Sequence, residues 1–352
     1  MPPTEKAASA FAPGRVNLIG EHTDYNQGRA LAFAIEEGTT VRAVPLEARL
    51  IEAFALDLGD NDRFALDGIA AAPGWRGFVR GVAAELMADG YHVHGAELQI
   101  RGTVPQGAGL SSSASLCVAL CLALLGASEI PAPPLLELAR ICSRVEHRWV
   151  GANSGMLDQI ASLGGAEGAA LHIDFGDLTY DAVPLRLGTH TLAMLDSGQD
   201  HKHGNGHGPH SGTGYNRRRE ECAEACSLLA IANLSECTVA AAEELPEPLG
   251  RRARHVVTEN QRVLSAVGAL ADGELDRLGQ LLNESHASLR DDYEVSTPSV
   301  ERAVERLLSC GAVGARLIGG GFGGHVLGLF ADGSALPHDA HVVTPGPGAR
   351  LL

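Results

Sequence analysis

The chain has 352 residues, too many for one minimal domain and few for three, so one large or two medium domains are expected. Apolar residues make up 45% and charged residues 20%, and no apolar run approaches the roughly 18 to 20 residues of a membrane span, which argues against membrane-spanning helices. A formal net charge of −16 disfavours nucleic acid as a partner, because a phosphate backbone rewards Lys and Arg; a small anion in a local Arg or metal site stays open.

The opening MPPTEKAASA lacks the apolar core of a signal peptide, so the expected location is the cytoplasm. An apolar segment around Phe11 to Ile19 then runs into GEHTDYNQG, whose Gly, Asn and Asp residues mark a loop. Trp75, Phe78, Val79, Val82 and Leu86 recur at helical spacing and predict a helix over Trp75 to Ala88. Glu97 to Gly102 reads as a strand feeding PQGAGLSSSAS, and Leu116 to Leu125 is too apolar for a surface helix. Another helix starts at PPLLELARICSRVEHRWVG, with Pro134 in the first turn and Gly151 as its stop.

Strands are expected at Ala169 to Phe175 and Thr191 to Leu195, with a domain boundary near Pro184 to Gly188 that divides the chain into 1–186 and 187–352. Asp196 to Tyr215, dense in Gly and His, reads as a loop; beyond it the sequence is mostly helical until GARLIGGGFGGHVLGLF, a strand, glycine loop and strand. The seven cysteines are odd in number, form no CxxC pair and sit mostly in apolar helical sequence such as SLCVALCLALL. They read as buried thiols in a reducing compartment.

Five stretches carry chemistry. APGRVNLIGEHTDYN concentrates Arg15, Asn17, Glu21, His22, Asp24, Tyr25 and Asn26, the density of donors and acceptors that a polyhydroxylated ligand needs. A plain surface loop is the alternative, but the Leu18-Ile19 anchor ties this one to the core. PQGAGLSSSAS has the composition of a phosphate-binding turn, yet it is no Walker A loop, and Lys6 and Lys202 are the only lysines in the chain. Gly107, Ala108 and Gly109 before a helix would offer backbone N–H groups at the positive end of its dipole, and Ser111, Ser112 or Ser113 could add hydroxyls or a Mg²⁺ ligand. A serine-capped helix would look the same.

In VEHRWVGANSGMLDQIASLGG, Asp158 is either a general base or orienting carboxylate or a residue favoured at a helix start, and Glu146, on a different element, is either a metal ligand or solvent-facing. GGGFGG, Gly319 to Gly324, has more glycines than a turn requires and points to close approach of a ligand or phosphate. His201, His203, His207 and His210 in DHKHGNGHGPH could bind Zn²⁺ or Ni²⁺, but their glycines set no fixed geometry.

Together these stretches resemble the galactokinases of the GHMP kinase superfamily, over essentially the whole chain. GRVNLIGEHTDYN looks like the galactokinase signature, PQGAGLSSSAS like the superfamily's nucleotide and Mg²⁺ loop, and LIGGGFGG like its third motif; GYNRRREEC and LRDDYEVSTPSV are similar to galactokinase C-terminal segments. The resemblance implies an α+β fold of two domains, the first like the second domain of ribosomal protein S5 and the second ferredoxin-like. It further implies a monomer that phosphorylates α-D-galactose at O1 with ATP and Mg²⁺.

By position, it assigns Arg15, Glu21, His22, Asp24, Gly155, Asp158 and Tyr215 to the sugar, and Gly107, Ala108, Gly109, Leu110, Ser111, Ser112, Ser113 and Ala114 to the nucleotide. Ser113 and Glu146 are assigned to the metal, and Asp158, with Arg15, to catalysis as base or positioner. Three departures stand out: NSGMLDQ replaces a CGxMDQ-like sequence, the His-rich segment is longer than usual, and Ala32 stands where a proline is typical, a change expected to be structural. The rivals are a catalytically silent galactose sensor, a metal-responsive protein centred on the histidines, and a kinase for N-acetylgalactosamine or arabinose.

Overall fold

The structure, a computed structural model, describes residues 7–104, 109–152, 154–198 and 211–352, with only the backbone described at 211–213. The first sheet contains β1 (Ala8–Ile19), β2 (Arg29–Leu46), β3 (Leu50–Ala55), β4 (Asp60–Ala65) and β5 (Gly95–Gly102). β6 (Ala169–Asp174) and β7 (Thr179–Pro184) extend it. Its order is β12-β1-β2-β5-β3-β4, where β12 (Arg350–Leu351) returns from the far end of the chain to pair with β1. β2 serves two neighbours in turn: Arg29 to Ala32 pair with β6, and Thr39 to Leu46 pair with β5.

Four helices pack on this sheet: α1 (Trp75–Ala88), α2 (Ser112–Ala127), α3 (Leu135–Val145) and α4 (Leu157–Gly164). α1 has the predicted bounds, because its apolar stripe of Phe78, Val79, Val82 and Leu86 is the face that the core buries. α2 is apolar all round and is accordingly buried between sheet and helices. Pro134 precedes α3 as its cap residue rather than entering the first turn, and the helical run to Gly151 is broken, with Glu146–Val150 forming a π-helical turn closed by left-handed Gly151.

Between Pro184 and Thr191 the chain leaves the first sheet for a second, antiparallel one of order β11-β8-β10-β9. Its strands are β8 (Thr191–Asp196), β9 (Ala312–Leu317), β10 (His325–Phe330) and β11 (His341–Val342). α5 (Ser211–Leu229), α6 (Val239–Glu243), α7 (Leu249–Asp272), α8 (Leu275–Asp291) and α9 (Pro298–Ser309) lie with it. α9 starts where STPSV says it should: the Thr297 hydroxyl accepts from the Val300 N–H, and Pro298 follows. Tyr215, expected at the end of a loop, instead lies inside α5.

One core joins the sheets. Val16, Leu18, Leu31, Phe33 and Ile35 of the first sheet pack with Val263 and Leu270 of α7, Leu281 of α8, and Met194 and Leu327 of the second. Ala30 and Ala32 face the other way, against Ile160 and Ala161 of α4. Ala32 is thus a core packing residue in mid-strand, paired with Leu171.

Candidate active site

The loop between β1 and β2 leaves the sheet at Gly20, where φ is +105° and a Cβ would lie 2.6 Å from the Ala30 Cα, so glycine is required. His22 follows with φ 62°. Internal hydrogen bonds close the loop: Thr23 Oγ1 donates to the Gly20 and Arg29 carbonyls, and Asn26 Nδ2 to that of His22. α7 then fixes it from outside. Glu259 accepts from the Gly20 N–H at 3.0 Å, Asn260 from the Arg29 N–H at 2.8 Å, and His255 Nε2 sits 3.1 Å from the Glu21 carbonyl.

Arg15, nearly buried, projects from β1 to the start of α2 and α4. Its Nη2 pairs with Asp158 Oδ1 at 2.6 Å, and its Nη1 donates to the Gly109 carbonyl at 2.6 Å. The other Asp158 oxygen accepts from the Ser111 hydroxyl. Ser111 precedes α2 but does not cap it: its φ of 60° is left-handed, and its side chain turns to Asp158 instead of the helix N–H groups. Ser112 and Ser113 begin the helix, part-exposed, while the side chains of Leu110 and Ala114 lie in the core. Any contact from those two to a nucleotide is therefore made by backbone. Gly107 and Ala108 lie outside the described residues, as do the four clustered histidines from His201 to His210.

Asp24 faces the same space. A Cβ on Gly155 would stand 1.8 Å from Asp24 Oδ2, which places Gly155 directly on this carboxylate. Burial, with the Asp158 charge added, pushes Asp24 up to about 6. The Asp24 charge in turn acts on Tyr215, whose ring lies 5.4 Å from that of His22 and 5.6 Å from that of Tyr25. Beneath them runs a chain of polar contacts from Cys222 to the Tyr293 hydroxyl, to the Tyr25 hydroxyl and to His22 Nδ1. Burial, with His255 and Arg218 nearby, holds His22 well below its usual range and therefore neutral.

Glu21 is buried, as His22 is. It accepts from the Gly319 N–H at 2.8 Å and lies 3.3 Å from the fully buried Arg316. Burial raises its carboxyl even so, against the pull of Arg316 and Arg15. The glycine loop is likewise shaped by protein neighbours: Gly321, at φ +78°, has Val295 where its Cβ would go, and Gly320 lies against the Tyr215 ring. These contacts account for Gly320 and Gly321.

Glu146, on the π-helical turn, is buried, with Oε2 accepting from the Ser154 hydroxyl and Oε1 without a hydrogen-bond partner among the described residues. Burial pushes it up to about 7, partly offset by the Ser154 and Ser113 hydroxyls and reinforced by Asp158. A buried hard oxygen left unpaired, beside a serine hydroxyl and a second carboxylate, fits a Mg²⁺ ion. Arg316, His255, Glu259 and Tyr293 escaped the sequence reading as site residues. Arg316 and Tyr293 do lie in GARLIGGG and LRDDYEV, but nothing in either segment signals burial beside the β1–β2 loop.

Two family models place the chain among the GHMP kinases. The family model for the GHMP kinases N terminal domain matches residues 77–166, and that for GHMP kinases C terminal matches residues 266–343. A third model, the galactokinase galactose-binding signature, matches residues 3–45.

The chain is 42% identical over 336 residues to a galactokinase of Roseiflexus sp. (strain RS-1), covering 92% of this chain and 83% of that one. It is 40% identical over 325 residues to a galactokinase of Mycobacterium bovis, covering 90% and 87%. It therefore belongs to the galactokinase family. The structure of Lactococcus lactis galactokinase complexed with galactose superposes with a TM-score of 0.89 at 32% identity, over 99% of this chain and 96% of that one. Methanococcus jannaschii mevalonate kinase, at TM-score 0.66 and 18% identity over 94% and 92%, shares the fold.

Proposed function

We propose that this chain transfers the γ-phosphoryl group of MgATP to O1 of α-D-galactose, giving galactose 1-phosphate and ADP, with Asp158 as the group that meets O1. The observation that carries this is the Arg15–Asp158–Ser111 cluster, in which one carboxylate joins the sugar-signature strand to the start of the serine helix.

Asp158 Oδ1 is held by Arg15, so Oδ2 is the oxygen free to exchange partners. An O1 hydroxyl arriving there takes the place of Ser111 as donor, and the proton of O1 passes to Oδ2 or is held there as attack proceeds, since a loose phosphoryl-transfer transition state needs little prior deprotonation. Asp24, Gly155, His22 and Tyr215 line the sugar side. Glu21 supports that side from beneath through Gly319. Ser113 and Glu146 would hold Mg²⁺, which when bound neutralises charge on the β- and γ-phosphates. With no lysine in the loop, the positive environment comes from Arg15 and the N-terminal end of α2.

The test is ADP release from MgATP with D-galactose, glucose, N-acetylgalactosamine and L-arabinose supplied separately. Release with galactose above the other sugars is expected. Folded protein that binds galactose and releases no ADP would instead be a sensor.

A further inference from the structure

Cys117 and Cys121 lie one helical turn apart on α2, and Cys142 faces them from α3; all three are fully buried. Their sulfurs lie within 4.8 Å of one another. Cys121 Sγ is 3.7 Å from Cys142 Sγ, and Cys117 Sγ is 3.8 Å from the Cys142 carbonyl. Three sulfurs placed trigonally around an ion at a metal–sulfur distance of about 2.3 Å are about 4.0 Å apart, so small side-chain adjustments would bring these three to that geometry. Among the described residues no carboxylate or imidazole joins the group, which leaves tetrahedral Zn²⁺ a ligand short. Soft sulfur donors in three-fold array suit Cu(I).

We propose that Cys117, Cys121 and Cys142 form a binding site for one Cu(I) ion. Binding releases thiol protons to solvent, so uptake strengthens as pH rises. Full burial makes entry depend on opening of the α2–α3 contact, and uptake is therefore slow.

The site is wired to the kinase centre by helix geometry. Cys117 is one turn after Ser113 on α2, and Cys142 is one turn before Glu146 at the end of α3. An ion clamping the two helices fixes the spacing of the two candidate Mg²⁺ ligands, so copper occupancy changes turnover. That consequence rests on the kinase reading above; the binding site does not.

The experiment is an anaerobic titration of the reduced full chain with Cu(I) against a chromophoric Cu(I) chelator, following near-ultraviolet sulfur-to-copper absorption. One equivalent with a three-sulfur shell by X-ray absorption is expected, with the band lost in Cys121→Ala and in Cys142→Ala but kept in Cys226→Ala and Cys310→Ala. Two single variants on different helices guard against one failing to fold. Copper held by the His201 to His210 segment would give a nitrogen shell and no sulfur band. A folded, reduced wild type without the band, or a band indifferent to Cys121 and Cys142, overturns the proposal. Failure of ADP release alone would leave the band intact and count only against the kinase reading.

Discussion

Gly155 has no side chain because Asp24 occupies the place where one would go. Replacing it with Ala puts the new carbon 1.8 Å from Asp24 Oδ2, 2.4 Å from its Cγ and 3.0 Å from its Cβ, so the carboxylate must rotate aside about the Asp24 Cα–Cβ bond while the backbone keeps its course. Gly155→Ala is expected to raise the galactose KM about ten-fold or more with little change in melting temperature; galactose calorimetry checks it. Asp158→Asn keeps the shape but removes the charge that Arg15 meets. Turnover should fall by about 10²- to 10⁴-fold while galactose binding stays within a few-fold; loss of both would mean that Asp158 holds the structure rather than the reaction. Arg15 and Asp24 are legible because they sit in a stretch rich in polar groups beside the Leu18-Ile19 anchor, whereas Asp158 is assigned only through the resemblance of GMLDQ. The Ser111 contact is not legible: its partner is 47 residues away in sequence, and the choice between capping the helix and meeting Asp158 was made by a left-handed backbone that a serine triplet does not announce.

At the scale of elements, the π-helical turn after α3 sets the pH behaviour. Glu146 is raised to about 7, so the folded state favours its protonated form. The cost of ionising it is absent below the unfolded value of about 4.5 and grows to full size as pH rises through 7. Mg²⁺ bound to the carboxylate offsets that cost and competes with the proton. Thermal denaturation should therefore show a larger stabilisation by Mg²⁺ at pH 8 than at pH 6, and Glu146→Gln should abolish the difference; equal shifts at both pH values would remove Glu146 from the metal site.

Elements differed in how plainly the sequence wrote them. α1 was readable because one face is wet and one dry. β2 was not, since Ala30 to Ile35 are buried on both faces, against α4 on one side and α7 with the second sheet on the other, and the period-two alternation vanishes. β4 opens with Asp60-Asn61-Asp62-Arg63, which carries no apolar alternation; its polar groups are taken up by Trp75, Arg76 and Arg80 of α1.

Across the whole molecule, a buried charged network links the two sheets. Arg316 on β9 reaches the Asn17 and Leu18 carbonyls on β1 and the Glu21 carboxylate. Glu259 on α7 holds the Gly20 N–H and the Ser285 hydroxyl; burial works to raise it, but Arg262, His255 and Arg316 outweigh that and hold it down to about 2. Removing Arg316 leaves Glu21 buried with the Gly319 N–H and without its nearest countercharge. Arg316→Met should cost about 3–5 kcal/mol of stability in denaturant unfolding, and a loss under 1 kcal/mol would show that Glu21 finds another partner.

The grip of α7 on the β1–β2 loop has a consequence for how the molecule breathes. Gly20 and Arg29 flank the loop, yet their amide hydrogens are satisfied by the Glu259 and Asn260 side chains rather than by a neighbouring strand. Their exchange with deuterated solvent is therefore a clock for the lifting of one helix from the sheet, running independently of the fraying of the strands. In a deuterium time course these two amides would keep pace with α7, and galactose would slow all of them together.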